Sequence, residues 1–378
     1  MSELASTMSE LEFLSVDEAM GADIDWPDVY LTPAYGRATE ASDDAPWRVA
    51  VWRPGPIVLP YLERPVDPKL GLARGAFDVV SPYGYAGAWA APGVDLEQWR
   101  AFRIAWRAAM VERGGIAEFL RAGGLLSGYE AMLEADPKLT LRDRSSTVEI
   151  DVARPFEAVW AAAESRARTK TRKAQKRGYT WSCRPCEPAD VSASSSFRQL
   201  YESTMRRVGA RPYYLFPDAY YQALADGLGE RLGLIEVRHP ERGLGVSGIF
   251  FEWGPNLHLH LVGNQGWALG DGAGNLLYHA LIEWACAREQ SSRLHVGGGL
   301  SHEDKLFYFK RGFGGHAIPV IKAGSILDPD RYRLAVERRA ALLGCAVERL
   351  TSSDYFPAYR AGPDPLAGPD PLAAGASR

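Results

Sequence analysis

Lys310 lies in the run Leu306-Phe-Tyr-Phe-Lys-Arg-Gly-Phe-Gly-Gly315, directly after Phe309. A lysine ammonium is a compact cation on a flexible stem, suited to stabilising charge that develops on a carbonyl oxygen during acyl transfer. The plain alternative is a surface lysine beside a packed aromatic residue. His302, between the Gly297-Gly-Gly299 turn and the Phe-Lys pair, is a candidate catalytic histidine. His258 and His260 alternate with leucines in Leu257-His-Leu-His-Leu-Val262, so both face the same side of a strand. They read either as a base or ligand pair or as an ordinary half-polar strand face. Glu236 and Glu252 are further candidates for a general base on neighbouring strands.

A second group of residues suits anions. Arg166, Arg168, Lys170, Arg172, Lys173, Lys176 and Arg177 crowd seven cations into a dozen residues, leaving only a narrow seam at Ala167 and Ala174. Such a helix repels itself unless anions or carboxylates offset it. Arg168, Lys170, Arg172, Lys173 and Lys176 are therefore candidate phosphate contacts, and a solvated charged face is the competing account. Arg211 offers a bidentate fork beside the amphipathic Tyr213 and Tyr214, which fits acceptor binding or an ordinary packed loop. Tyr83 and Tyr85 stand in Val80-Ser-Pro-Tyr-Gly-Tyr-Ala-Gly87, where Gly84 and Gly87 let backbone come close to a ligand. Core tyrosines are the alternative there.

Composition sets the bounds. The chain has 378 residues, long enough for two domains, with 46% hydrophobic and 24% charged residues, as in a soluble globular protein. A net charge of −4 excludes general polyanion binding, so any nucleic-acid contact must come from a local basic patch. Cys183-Arg-Pro-Cys186 is a lone pair without a second CxxC or a histidine at ligand spacing, so neither zinc nor redox chemistry is expected. The N-terminal residues are acidic without an apolar stretch, and no run reaches the ~18 apolar residues of a membrane helix. A cytoplasmic protein without membrane insertion is expected, with no metal.

The elements that must position these groups alternate between strand and helix. Residues 47–52 and 56–61 read as a hairpin, 96–113 as an amphipathic helix, and 147–151 as a strand. One long helix is expected from near Pro155 to a C-cap at Gly178. Strands at 232–238, 244–253 and 257–262 form an antiparallel meander. A helix over 275–290 and a strand at 293–296 follow. This gives an α+β (mixed α/β) class, with two lobes that are each a mostly antiparallel twisted sheet flanked by helices. Residues 1–20 read as a flexible arm, 21–160 as the first lobe and 161–345 as the second. The Pro- and Gly-rich repeat within 360–378 reads as disordered.

Several segments in order resemble the Fem family (FemABX-like) of aminoacyl-tRNA-dependent peptidyltransferases and its GNAT-like acyltransferase relatives. They are Ser165–Gly178, Leu200–Arg206, Tyr213–Leu224, Gly274-Asn-Leu-Leu-Tyr278, Gly297–Gly299 and Phe309–Gly315, preceded by Val80–Gly87. The resemblance implies two GNAT-like lobes with a groove for the acceptor, and places the Phe309-Lys310 pair in the active groove with Lys310 polarising the acyl donor. Acyl-CoA users of the superfamily carry a Q/R-x-x-G-x-G/A loop for pyrophosphate. Here Trp267–Leu276 holds three glycines but has Asp271 in place of the arginine or glutamine. An aminoacyl ester donor therefore fits better, with Asn275 a candidate substrate contact.

The reading is an aminoacyltransferase that forms an amide or peptide bond without a ribosome. Its partners are an aminoacyl-tRNA donor and an amine-bearing peptide or small-molecule acceptor, and it needs no cofactor. The acceptor groove is expected between the Tyr83/Tyr85 loop and Arg211–Tyr214. Two alternatives stand beside it: an acyl-CoA-dependent N-acyltransferase acting on a sugar or small amine, and a binding module without catalysis.

Overall fold

Two mostly apolar runs, Trp47–Trp52 and Ile57–Pro65, buried along most of their length, pair as the expected hairpin, with Trp47 opposite Leu62. The helix Leu96–Arg113 begins at an Asp95–Gln98 capping box and stops at Gly114, whose φ of 103° only glycine adopts readily. Trp99, Phe102, Trp106, Ala109 and Met110 are all buried, as their spacing predicts. The computed structural model describes residues 10–72, 75–126, 128–299, 304–353 and 355–362. Within these the chain forms two compact units, each with its own hydrophobic core.

Unit 1 takes the described residues up to Asp25, residues 43–145, and those from Val320 onward. Its sheet order is Leu11–Ser15, Trp47–Trp52, Ile57–Pro65, Phe77–Val80, Gly115–Gly123 and His316–Ile326. Only the Phe77–Val80 and Gly115–Gly123 pair is parallel. Trp99, Phe102 and Trp106 pack with Ile57, Tyr61 and Leu120 in its core. The fully buried Arg103 is tied to Asp136 (Nε to Oδ2, 3.1 Å) and Glu118 (Nη1 to Oε2, 3.2 Å), so its charge is compensated where water is excluded.

Unit 2 joins residues 26–42 to residues 146–319. Its sheet runs Thr140–Asp151 (from Ser146), Arg293–Gly298, Asn256–Asn264, Gly243–Trp253, Leu232–His239, Thr180–Pro185. All neighbours are antiparallel except Asn256–Asn264 with Arg293–Gly298, a parallel pair that spans only Asn256↔Arg293 to His258↔His295. Parallel strands need a crossover, and the helix Ala273–Cys286 supplies it. Leu276, Leu277 and Leu281 of that helix pack on Val148, Ile150, Leu257 and Leu294.

Three expectations change. Residues 11–20 are no loose arm: Leu11–Ser15 pairs with Trp47–Trp52, and a Ser15–Glu18 capping box starts the helix Val16–Gly21. The proposed lobes at 21–160 and 161–345 differ from the compact units, which exchange residues 26–42 and 320 onward, because sheet pairing joins distant segments. The long helix over 155–178 is two helices, Phe156–Ala162 and Ser165–Lys176. At the break, the Glu164 N–H donates to Gly312 O (2.8 Å), and Arg168 donates to Ala161 O and Ala163 O (2.7 and 2.9 Å). Most of the tail at 360–378 and His302 lie outside the described residues. Among those residues, no helix is long and apolar enough to cross a membrane.

Candidate functional site

The site in unit 2 is built where the strand Arg293–Gly298 ends. Gly297 has φ +71°, and a Cβ on Gly299 would meet Asp304 Oδ1 at 2.0 Å, so the chain turns tightly there. Asp304 caps the short helix Lys305–Arg311, accepting from the N–H groups of Leu306 and Phe307 (both 2.9 Å). Phe307 is buried, and Phe309 wedges edge-on against Tyr278 (5.3 Å) and Phe313 (5.3 Å). This packing sets the neighbouring Lys310, whose Nζ donates to Gly298 O at 2.6 Å.

After Lys310 the run 312–315 closes on the first strand of the unit. A Cβ at Gly315 would meet Val148 Cγ1 at 2.5 Å and Glu149 O at 2.8 Å. The glycines therefore serve a close approach of backbone to sheet. Partial burial strips water from the Lys310 ammonium and lowers its pKa to about 8, with Asp304 opposing the shift. Lys310 can thus donate a hydrogen bond as a cation at neutral pH, and it loses its proton far more readily than a surface lysine.

Beside Lys310 runs a row of titratable residues on one face of the sheet. Glu149, His295 and His258 are successive register partners across three strands. Arg293 binds Glu149 with both prongs, Nε to Oε1 at 3.0 Å and Nη2 to Oε2 at 2.9 Å. His258 Nδ1 lies 3.3 Å from His295 Nδ1, and its Nε2 lies 2.8 Å from Asp28 Oδ2. Burial pushes His295 far below the usual histidine range, and His258, Lys310 and Arg293 add to this in that order.

His258 and His260 do share a face, but their roles diverge. His260 is flanked by Tyr30 Oη (3.1 Å from Nδ1) and Tyr220 Oη (2.7 Å from Nε2), and burial lowers its pKa to about 3. It is a neutral packing residue. Glu252 binds Arg288 at 2.8 Å and Glu236 binds Arg238 at 3.1 Å, so both are held in ion pairs. Asp28 and His295 went unread in the sequence. For His295 a signal existed, a single polar residue between Leu294 and Val296 in a buried strand. For Asp28 none did, because its partner is 230 residues away.

The basic helix faces two ways. Ala167, Thr171 and Ala174 are buried, while Arg166, Arg172 and Lys176 are exposed on the opposite side. Lys173 donates to Gly270 O at 2.7 Å, and Arg177 pairs with Asp271, which also accepts from Tyr179 Oη at 3.1 Å. Arg168 is spent on the carbonyls at the helix break. Lys170 is half-buried, and its carbonyl oxygen would lie 2.2 Å from a Cβ on Gly272. The glycine loop that precedes the central helix is thus the short helix Gly266–Asp271 clamped onto the basic helix.

The remaining candidates stand on other elements than Lys310. Asn275 is half-buried in the first turn of the central helix. Arg211 starts the turn Pro212–Tyr214, whose Tyr214 carbonyl accepts from Tyr201 Oη at 2.9 Å, with Tyr213 packed edge-on against Tyr214. Tyr83 and Tyr85 belong to unit 1, half-buried in the loop after Phe77–Val80. Cys183 and Cys186 are free thiols whose pKa burial pushes up to about 12, so neither is a nucleophile at neutral pH.

The sequence matches no family model and no curated protein. Solved structures do resemble it. FemX aligns with a TM-score of 0.62 at 13% identity, covering 86% of this chain and 99% of FemX. A conserved protein of unknown function from Bacteroides thetaiotaomicron aligns at 0.51 and 11% identity, covering 86% and 97% of the two chains. The L-PGS structure from Bacillus licheniformis aligns at 0.50 and 10%, covering 89% and 96%. At such identities the likeness establishes the fold alone: an arrangement like that of FemX across 86% of the chain, as the sequence resemblance implied.

The clamp on the basic helix yields a direct prediction. Gly272 has φ +89° and sits against the Lys170 carbonyl, so Gly272→Ala should loosen the helix Ser165–Lys176. A strain of roughly 1–2 kcal/mol corresponds to about tenfold faster trypsin cleavage within 166–177. Unchanged cleavage would show that the loop does not hold the helix.

Proposed function

We propose that this protein is an aminoacyltransferase that joins the aminoacyl group of an aminoacyl-tRNA to the amine of a peptide or small molecule. The observation that carries the reading is Lys310, a partly buried ammonium fixed against the Gly298 carbonyl on a Fem-type fold. The neutral acceptor amine attacks the ester carbonyl, and a C–N bond forms as the carbonyl π electrons move onto oxygen. Lys310 donates a hydrogen bond to that oxyanion, where low local polarity strengthens the interaction. The C–O bond to the terminal ribose then breaks. The ribose oxygen leaves with a proton, and the amine gives one up, so the amide and the free hydroxyl result. The ester is already activated, so holding amine and carbonyl together supplies much of the acceleration.

The donor assignment draws on the basic helix and the glycine loop. Arg166, Arg172 and Lys176 form an exposed cationic stripe free to meet phosphates. The loop where a CoA pyrophosphate would bind carries the Asp271 carboxylate and is clamped by Lys173 and Arg177. These features favour a polynucleotide-borne ester over acyl-CoA.

Lys310→Ala should lower kcat by about 10²–10³-fold while the far-UV spectrum and melting temperature hold, as for loss of one oxyanion donor. Full activity in the folded variant would remove Lys310 from the mechanism. For the donor, Arg172→Glu with Lys176→Glu should weaken use of charged tRNA by tenfold or more. The same variant should process a small aminoacyl ester at the parent rate. Equal loss on both donors would contradict a phosphate-binding stripe, and turnover with acyl-CoA but not charged tRNA would overturn the donor assignment.

A further inference from the structure

The segment 26–42 joins unit 2 by a buried polar anchor. Trp253 Nε1 donates to Trp26 O at 2.7 Å, and Asp28, 1% exposed, meets Asn256 and His258. Asp28 Oδ1 accepts from the Tyr30 N–H (3.1 Å) and Oδ2 from Asn256 Nδ2 (3.1 Å). With both oxygens already accepting, Asp28 presents only lone pairs to the ring facing it. His258 must then carry a proton on Nε2, and as a neutral ring it turns the lone pair of Nδ1 toward His295. His295 Nδ1 at 3.3 Å must in turn be the N–H donor, so its own lone pair sits on Nε2.

We propose that Asp28, His258 and His295 form a hydrogen-bonded chain that fixes His295 as a neutral, Nδ1-protonated positioning residue beside Lys310. This rests on the assignment of Lys310 as the oxyanion donor. A neutral imidazole next to a partly buried ammonium spares it the repulsion of a second cation, and a fixed tautomer gives the local field one sign. The groups facing His295 include His258 from the parallel strand, Glu149 from the antiparallel one, Arg293 from its own strand and Lys310 from the helix 305–311. Glu149 and Arg293 neutralise each other. Lys310 additionally faces Asp304 at the start of its helix. Low burial-driven proton affinity agrees with a His295 that stays uncharged through neutral pH.

Nitrogen NMR of the full-length, 15N-histidine-labelled protein tests the chain without any assay of activity. His258 should appear as the Nε2–H tautomer and His295 as the rarer Nδ1–H tautomer, the latter unchanged from pH 6 to 9. An imidazolium at either position, or His295 protonated on Nε2, would overturn the proposal. Coupling to Lys310 is read separately from the 13Cε titration of Lys310. His295→Lys, which sets a second cation there, should lower its midpoint by half a unit or more, about a threefold change in protonation equilibrium. A folded variant with an unmoved midpoint would reduce the chain to a structural role and overturn the positioning claim; if the variant fails to fold, the parent's tautomers remain the deciding result. Correct tautomers and coupling in a protein that transfers no aminoacyl group would instead count against the proposed function alone.

Discussion

An ammonium drawn partly out of water needs an acceptor, and in this protein Lys310 finds it in the Gly298 carbonyl. Much of unit 2 follows from that requirement. The strand Arg293–Gly298 must end in a turn that leaves the carbonyl available, hence the glycines at 297–299. The next helix must begin within a few residues and be held in angle, hence Asp304 as its cap and Phe309 wedged between Tyr278 and Phe313. Its far end must reach the first strand, hence the glycines at 312–315 against Val148 and Glu149. Each local choice serves the placement of one cation.

The same economy governs the other cations. Seven positive charges on one helix repel one another, and three are absorbed internally by backbone carbonyls and Asp271. The sign of Asp271, unsuited to pyrophosphate, is suited to this role. Helix and loop therefore hold each other, and the exposed remainder of the charge points to solvent, where a phosphate chain can meet it.

The sequence made the sheet of unit 2 legible because its central strands are apolar runs bounded by turn residues such as Gly254-Pro255, and its central helix has a wide apolar face. Phe309 and Lys310 stood out as candidates through the order of aromatic and glycine residues around them. What stayed hidden was long-range. Nothing near Asp28 marks it, since its meaning comes from His258 across 230 residues. The break at Ala163–Glu164 was equally silent, because helix-favouring residues continue through it and the deciding bond is made by Gly312. Periodicity reports which face is buried; it does not report which distant polar atom waits there.

The central claim is that Lys310 acts as a cation with a lowered proton affinity. Its pKa near 8 means that the ammonium is present below that pH and lost above it. The decisive measurement is kcat against pH with a charged-tRNA donor, corrected for the neutral fraction of the acceptor amine. The account predicts a limb that falls tenfold per pH unit above about 8 and is absent from the residual activity of Lys310→Arg, whose guanidinium does not titrate there. A corrected rate that stays flat to pH 10, or rises through 8, would contradict it.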